Sequence, residues 1–219
     1  PALRGMADIY VGMSELHREY NDLYAATQNL LKSKEMGEHT GFPQNRYRWY
    51  VAMARVREAQ GDLYGALELF DEAERLYMSD FSPNVHPITA RKARVWLAQG
   101  RLAQALGWAR EQALSTDDGL SYVREYEYIT LARILLARSA SDPTDPSSLD
   151  VMQLLERLLK AAREGGRLGS VIELLVLQSL AHQAQADIPA ALNSLQKALA
   201  LAEPEGYIRI FLDEGLPMI

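Results

Sequence analysis

Gln60-Gly61-Asp62-Leu63-Tyr64-Gly65-Ala66 decides the fold, because the phrase returns along the chain. It recurs as Gln99-Gly100-Arg101-Leu102-Ala103-Gln104-Ala105 and as Gln185-Ala186-Asp187-Ile188-Pro189-Ala190-Ala191. Tyr20-Asn21-Asp22-Leu23-Tyr24-Ala25-Ala26 is a looser copy. The common pattern is a small or turn-forming residue, a polar residue, an apolar residue, two free positions and an alanine. Ala26, Ala66 and Ala105 are spaced 40 and 39 apart, and Ala191 follows 86 later, room for two more periods with one enlarged. Self-similarity at a fixed period is the mark of a repeat architecture.

Each copy lies between two stretches of helical periodicity. Gly or Asn ends the first helix because it accepts a left-handed backbone. The polar residue that follows can cap the next helix. The alanine falls inside that second helix, where a small side chain lets two helices approach closely. Helix–turn–helix units stacked in series are therefore expected, with helices A and B at about 5–20 and 23–36, 45–60 and 63–79, 86–99 and 102–114, 120–139 and 148–164, and 169–186 and 188–202. The stretch 139–148 is polar and carries Pro143 and Pro146. Proline lacks the amide donor and disfavours helix in the residue before it, so this stretch reads as an exposed insertion within the fourth pair. Residues 1–203 read as one repeat domain and 204–219 as a capping segment.

The turn pattern resembles the tetratricopeptide repeat, in which helix A carries a bulky residue near its start and a small one four places on. Aligned from the turns, the bulky position falls on Tyr10, Tyr50, Thr89, Tyr128 and Leu175, and the small one on Ser14, Ala54, Ala93, Ala132 and Ser179. The resemblance implies an all-α solenoid, a right-handed superhelix of about five helix pairs with a C-terminal capping helix. A period near 40 exceeds the usual ~34 residues, so helices or loops are longer than in the short form. The segment 202–215, Ala202-Glu203-Pro204-Glu205-Gly206-Tyr207-Ile208-Arg209-Ile210-Phe211-Leu212-Asp213-Glu214-Gly215, resembles the close of the repeat sensor in MalT-like members of the LuxR family. Those bacterial transcription activators combine a P-loop ATPase, a central repeat domain and a DNA-binding helix-turn-helix. The resemblance implies an effector- or partner-binding sensor, with DNA contact made by a C-terminal module outside this chain. The alternative is a generic scaffold whose repeats hold a partner peptide or protein.

Composition narrows the function further. Lys and Arg total 23 against 29 for Asp and Glu, a net charge of −6. An acidic domain repels the phosphate backbone, so no direct nucleic-acid binding is expected of this segment. There is no cysteine, which removes disulfides and thiolate metal sites. Apolar runs such as Ile134-Leu135-Leu136-Ala137 are too short to span a bilayer, and Pro1-Ala2-Leu3-Arg4-Gly5 lacks a signal-peptide pattern. A cytoplasmic protein without membrane contact is expected. The missing initiator methionine suggests an excised fragment or processed product.

No set of residues announces catalysis, so no enzyme, cofactor or metal site is expected. His17, His39, His86 and His182 have no metal-ligand spacing. His17 and His182 share the helix A position held by Trp96 in the third repeat and read as packing residues. Glu125 and Glu127, or Asp71, Glu72 and Glu74, could do acid–base work only if a pocket separated their pKa values. Ser170, Ser179 and Ser194 lack a nucleophile-elbow context, and no Gly-x-x-x-x-Gly-Lys-Ser/Thr loop is present.

One pattern does suggest a binding site. Five residues after the bulky register come Glu15, Arg55, Arg94, Arg133 and Leu180; two before it come Asp8, Arg48, Pro87, Tyr126 and Glu173. In this repeat family such helix A positions face a concave groove. The guanidinium fork suits carboxylate or phosphate and stacks on aromatic rings. Arg55, Arg94, Arg133, Tyr126, Arg48 and Glu15 are therefore candidates to hold a small-molecule effector, anionic or highly hydroxylated, or an acidic peptide. The competing reading is that these arginines pair with neighbouring glutamates and keep the groove soluble.

Overall fold

The computed structural model describes residues 5–79, 83–141 and 147–215, without the side chains of 38–40 and 147–149. Among the described residues there are eleven α-helices and no strand: α1 (Met6–Glu19), α2 (Leu23–Thr40), α3 (Asn45–Ala59), α4 (Leu63–Arg75), α5 (Ile88–Ala98), α6 (Leu102–Glu111), α7 (Glu125–Ser141), α8 (Ser147–Glu164), α9 (Leu168–Ala184), α10 (Ile188–Ala202) and α11 (Arg209–Leu212). Five A/B pairs and a short closing helix result, as the repeat reading expects.

The recurring phrase forms the recurring turn. Asn21, Gly61, Gly100 and Ala186 take positive φ of 60°, 83°, 73° and 59°, the left-handed stop that ends helix A. The next residue caps helix B: Asp22, Asp62 and Asp187 accept from the backbone amides of Ala25, Gly65 and Ala190 at 2.9, 3.0 and 3.1 Å. Each cap satisfies an orphan amide and contributes about 1 kcal/mol. In the third repeat Arg101 stands at this position and makes no cap.

Burial confirms the register. Ser14, Ala54, Ala93, Ala132 and Ser179 are all buried, none more than 5% exposed. The two serines fit because their hydroxyls donate to carbonyls, Ser14 to Val11 at 2.6 Å and Ser179 across to Ala191 of α10 at 2.9 Å. A buried hydroxyl without such a partner would be costly. The helix B alanines Ala26, Ala66, Ala105 and Ala191 are buried too.

The chain divides into two compact units, Pro1–Asn84 and Val85–Ile219. In the first, Val11, Ala26, Leu30, Ala52 and Val56 form a core with Trp49 and Met53 against it, and the Trp49 indole donates to the Leu30 carbonyl at 2.7 Å. In the second, α7, α8 and α9 supply most of a larger core that includes Tyr128, Ile129, Ile134, Leu154, Leu158, Ile172, Leu174 and Leu175. The α9 helix is apolar on nearly every side, as a helix enclosed by neighbours must be.

Several ends differ from the sequence expectation. Helix α2 continues through Gly37 to Thr40 and stops at Gly41, whose amide donates to the Gly37 carbonyl. After α4 stops at Arg75, Tyr77 sets its ring edge-on to Tyr47 at 5.2 Å. Pro87 occupies the N-cap of α5, and Ala113 (φ 49°) ends the segment after α6. Helix α7 begins only at Glu125, after a 3-10 turn over Tyr122–Arg124. The expected insertion 139–148 is shorter than its composition suggests: α7 runs through Ser141 and α8 starts at Ser147, while both prolines lie outside the described residues.

At the C-terminus a 3-10 turn over Glu203–Glu205 leads through Gly206 (φ 71°) into α11. Tyr207, Ile210 and Phe211 pack on the larger core. Ile208 and Leu212 face outward and, with Leu199, Ala202 and Phe211, line an apolar groove of about 570 Å³ between α10 and the tail.

Candidate functional site

The candidate residues separate into two groups, one in each unit. In the first unit, residues at equivalent positions of neighbouring A helices meet. Arg55 on α3 donates to Glu15 at 3.2 Å and to Glu19 at 2.9 Å, both on α1. Arg48 lies 3.8 Å from Asp8, whose other oxygen accepts the Phe42 amide at 3.0 Å. Arg18, itself buried, adds a bond to Glu19 at 2.8 Å. Arg48, Arg55 and Glu15 thus belong to ion pairs between α1 and α3.

The second unit brings Arg94, Arg133 and Tyr126 together. Helix α5 projects Arg94 over the Tyr126 ring of α7, with 3.8 Å from guanidinium carbon to ring centroid. Arg91 lies 5.4 Å from the same ring, and His86 meets it edge-on at 4.7 Å. Stacking of this kind contributes roughly 0.5–2 kcal/mol, more as water is excluded. Arg94 also donates through Nε to Thr130 Oγ1 at 2.9 Å and through Nη1 to Glu173 Oε1 at 2.7 Å. Its Nη2 is buried and has no hydrogen-bond partner among the described residues. A charged donor left in that state carries a desolvation cost.

Glu173 is the centre of this cluster. It is the only Asp, Glu, Lys or Arg in α9, flanked by the buried Ile172 and Leu174. An unpaired carboxylate there would cost several kcal/mol. Two arginines remove the problem: besides Arg94, Arg133 donates to Glu173 Oε1 through Nε at 3.0 Å and Nη2 at 2.9 Å. Burial pushes the Glu173 carboxyl up, but the guanidiniums of Arg94 and Arg133 outweigh it and hold the group at about 2. Burial disfavours the charge on Arg133, yet Glu214 and Glu173 overturn that and raise its pKa further above the ordinary arginine range.

Glu214 arrives from the C-terminal tail, accepting from Arg133 Nη1 at 2.9 Å and approaching Nη2 at 2.6 Å, with a side chain only 8% exposed. Arg94 and Arg133 thus share Glu173, and Arg133 also holds Glu214. Sequence reasoning placed Arg94, Arg133 and Tyr126 in one site but did not place Glu214 there, and it named Glu173 only as a register position. A lone glutamate within the apolar run Val171–Leu177 was the available signal, because such a residue requires a cation.

Glu125, Glu127 and Glu72, singled out in the sequence, have structural partners. Glu125 accepts from Arg167 Nε at 2.8 Å and Ser170 Oγ at 2.6 Å, and Glu127 accepts from Arg124 Nε at 2.8 Å. Glu72 pairs with Arg75 on an exposed helix face. His17 Nδ1 lies 4.0 Å from Asp22. Among the described residues, no group of three His, Cys, Asp or Glu is placed to hold a metal ion, and no helix is long and apolar enough to cross a membrane.

Comparison with known families matches the MalT-like TPR region across residues 1–219. The chain belongs to this family. No curated protein matches it. This MalT-like repeat region is similar in structure to the nearly identical TPR-like repeats of a Podosopora anserina protein described as a kinesin light chain. A point variant of those repeats gives a TM-score of 0.50 at 16% identity, covering 93% of this chain and 99% of that one. A second crystal structure of the repeats gives 0.48 at 17% identity, with 90% and 96% covered. At such identity the likeness concerns the fold alone. Repeat domains of this type generally act as non-catalytic scaffolds for binding.

Proposed function

We propose that this MalT-like repeat region is the non-catalytic, cytoplasmic sensor segment of a LuxR-type transcription regulator, and that its effector binds at Arg94, Arg133 and Tyr126. DNA contact is assigned to a module outside residues 1–219. The observation that carries the reading is Arg94: its guanidinium covers an aromatic ring at 3.8 Å while one buried nitrogen donates to nothing among the described residues. An acceptor on a ligand would complete that donor, and Tyr126 would form the wall behind it. An anionic group, a polyhydroxylated molecule or an acidic peptide supplies such acceptors.

Calorimetry with three probes tests the site: pyrophosphate, a neutral oligosaccharide and a glutamate-rich peptide, each against wild type, Arg94→Ala and Arg133→Ala. Circular dichroism controls for folding. One probe is expected to bind, and each substitution should weaken it by ~1.5–3 kcal/mol, the contribution of a hydrogen bond to a charged group. Unchanged affinity in both variants would remove this site from consideration.

A further inference from the structure

Arg133 already holds two carboxylates, Glu173 and Glu214, so an anion that engages Arg133 competes with one of them. They are not equally displaceable. Glu173 lies mid-helix between buried residues and accepts three hydrogen bonds from Arg94 and Arg133. Displacing it would leave an unpaired carboxylate between the buried Ile172 and Leu174. Glu214 lies beyond the end of α11, on a strap that starts at the left-handed Gly206, and the contacts it makes in this cluster are to Arg133 alone.

The strap is held partly by apolar contacts and partly by charge, with Arg209 buried and paired to Asp213. Ile208 and Leu212 face outward, and the apolar groove beside α10 separates part of the strap from the helix it follows. Three partly buried side chains, Tyr207, Ile210 and Phe211, fasten it to the core. The Arg133–Glu214 pair is the contact that ties the strap to the Arg94–Arg133 cluster.

We infer that Glu214 is a built-in competitor for the effector site: a ligand carboxylate or phosphate that engages Arg133 replaces Glu214 and releases the segment 207–215. Site occupancy is thereby converted into mobility of the C-terminal strap. The inference rests on the effector site proposed above and specifies how that site is regulated and which ligand chemistry operates it. A neutral ligand would leave the latch closed. The tail also lowers apparent affinity, because only the undocked fraction of molecules offers Arg133 fully.

The test uses the whole chain, pyrophosphate as probe, and Glu214→Gln, which keeps the shape of the side chain and removes its charge. Hydrogen exchange of the amides in 207–215 is followed beside calorimetry, with the amides of 23–36 in the first unit as internal control for folding. In Glu214→Gln without ligand, exchange in 207–215 should accelerate, and pyrophosphate should bind about tenfold more tightly, the change expected from losing one charge-assisted contact. In wild type, saturating pyrophosphate should raise exchange in 207–215 toward that of the variant while 23–36 stays unchanged. If pyrophosphate binds wild type and variant equally, or saturates wild type without changing tail exchange, the latch is overturned. The effector site would survive that result provided Arg94→Ala still weakens binding. If Arg94→Ala and Arg133→Ala bind pyrophosphate as wild type does, or no protein binds it at all, the anion site itself falls and the latch with it.

Discussion

Replacing Glu173 with glutamine removes the charge at the centre of the second unit while nearly preserving shape. Arg94 Nη1, Arg133 Nε and Arg133 Nη2, now at 2.7, 3.0 and 2.9 Å from one carboxylate oxygen, would face a neutral amide instead. The size of the effect follows from the titration of Glu173, held at about 2 rather than at its ordinary 4.5. At about 1.4 kcal/mol per pH unit that displacement corresponds to ~3 kcal/mol. Removing one partner of a buried pair costs ~3–5 kcal/mol, and the lower end suits a side chain that keeps 14% exposure. The sign of the pH dependence is fixed. The folded-state pKa lies below the unfolded one, so the contribution is complete above the ordinary value and disappears as pH falls through the folded value. The gap between wild type and Glu173→Gln should be ~3 kcal/mol at pH 7 and shrink as pH falls from the ordinary carboxylate range through the folded value. Denaturant unfolding followed by far-UV circular dichroism measures it. In a thermal melt the midpoint of a chain of this size should fall by roughly 6–12 °C at pH 7. No loss at pH 7, or a gap as large at pH 3 as at pH 7, would refute the reasoning.

Asp62→Ala deletes the cap on α4 and should cost about 1 kcal/mol; Gly61→Ala, forced to the left-handed φ of 83°, should cost a similar ~1 kcal/mol. Thermal melts of both variants check the turn, and wild-type midpoints would contradict its assigned role. Removing residues 204–219 uncovers the surface beneath Tyr207, Ile210 and Phe211 and strips Glu214 from Arg133; a lower midpoint or aggregation is expected, and an unchanged, fully soluble protein would show the tail to be a mere linker. With a net charge of −6, residues 1–219 should bind DNA no better than the ~10⁻⁴ M end of nonspecific affinities at physiological salt, and a mobility shift showing tight sequence-selective binding would contradict that.

The fold was legible because its signals are local. A positive-φ residue, a capping carboxylate and an alanine recur at nearly constant spacing, and every small residue in the helix A register is buried. The same register put Glu15 beside Arg55 and Asp8 near Arg48, because equivalent positions of successive A helices are neighbours. Helix ends were less legible. Ala113 adopts a left-handed conformation that alanine disfavours, so residue type alone did not mark that stop, whereas Ala186 was legible through the capping Asp187 that follows it. The centre of the site was partly legible. Arg94, Arg133 and Tyr126 follow from periodicity, whereas Glu214 lies 81 residues from Arg133 on a segment outside the repeat. No period can relate the two, so only the folded chain brings them together.

The most direct measurement is an NMR titration that watches the arginine Nε–H groups of the whole chain as whichever of the three probes binds is added. Arg94→Lys and Arg133→Lys assign the two resonances of interest. The Arg94 and Arg133 signals should shift together and saturate at the calorimetric stoichiometry, while Arg55, paired with Glu15 and Glu19 in the other unit, stays in place. Arg94 and Arg133 signals that do not move at saturating ligand would contradict the proposed effector site.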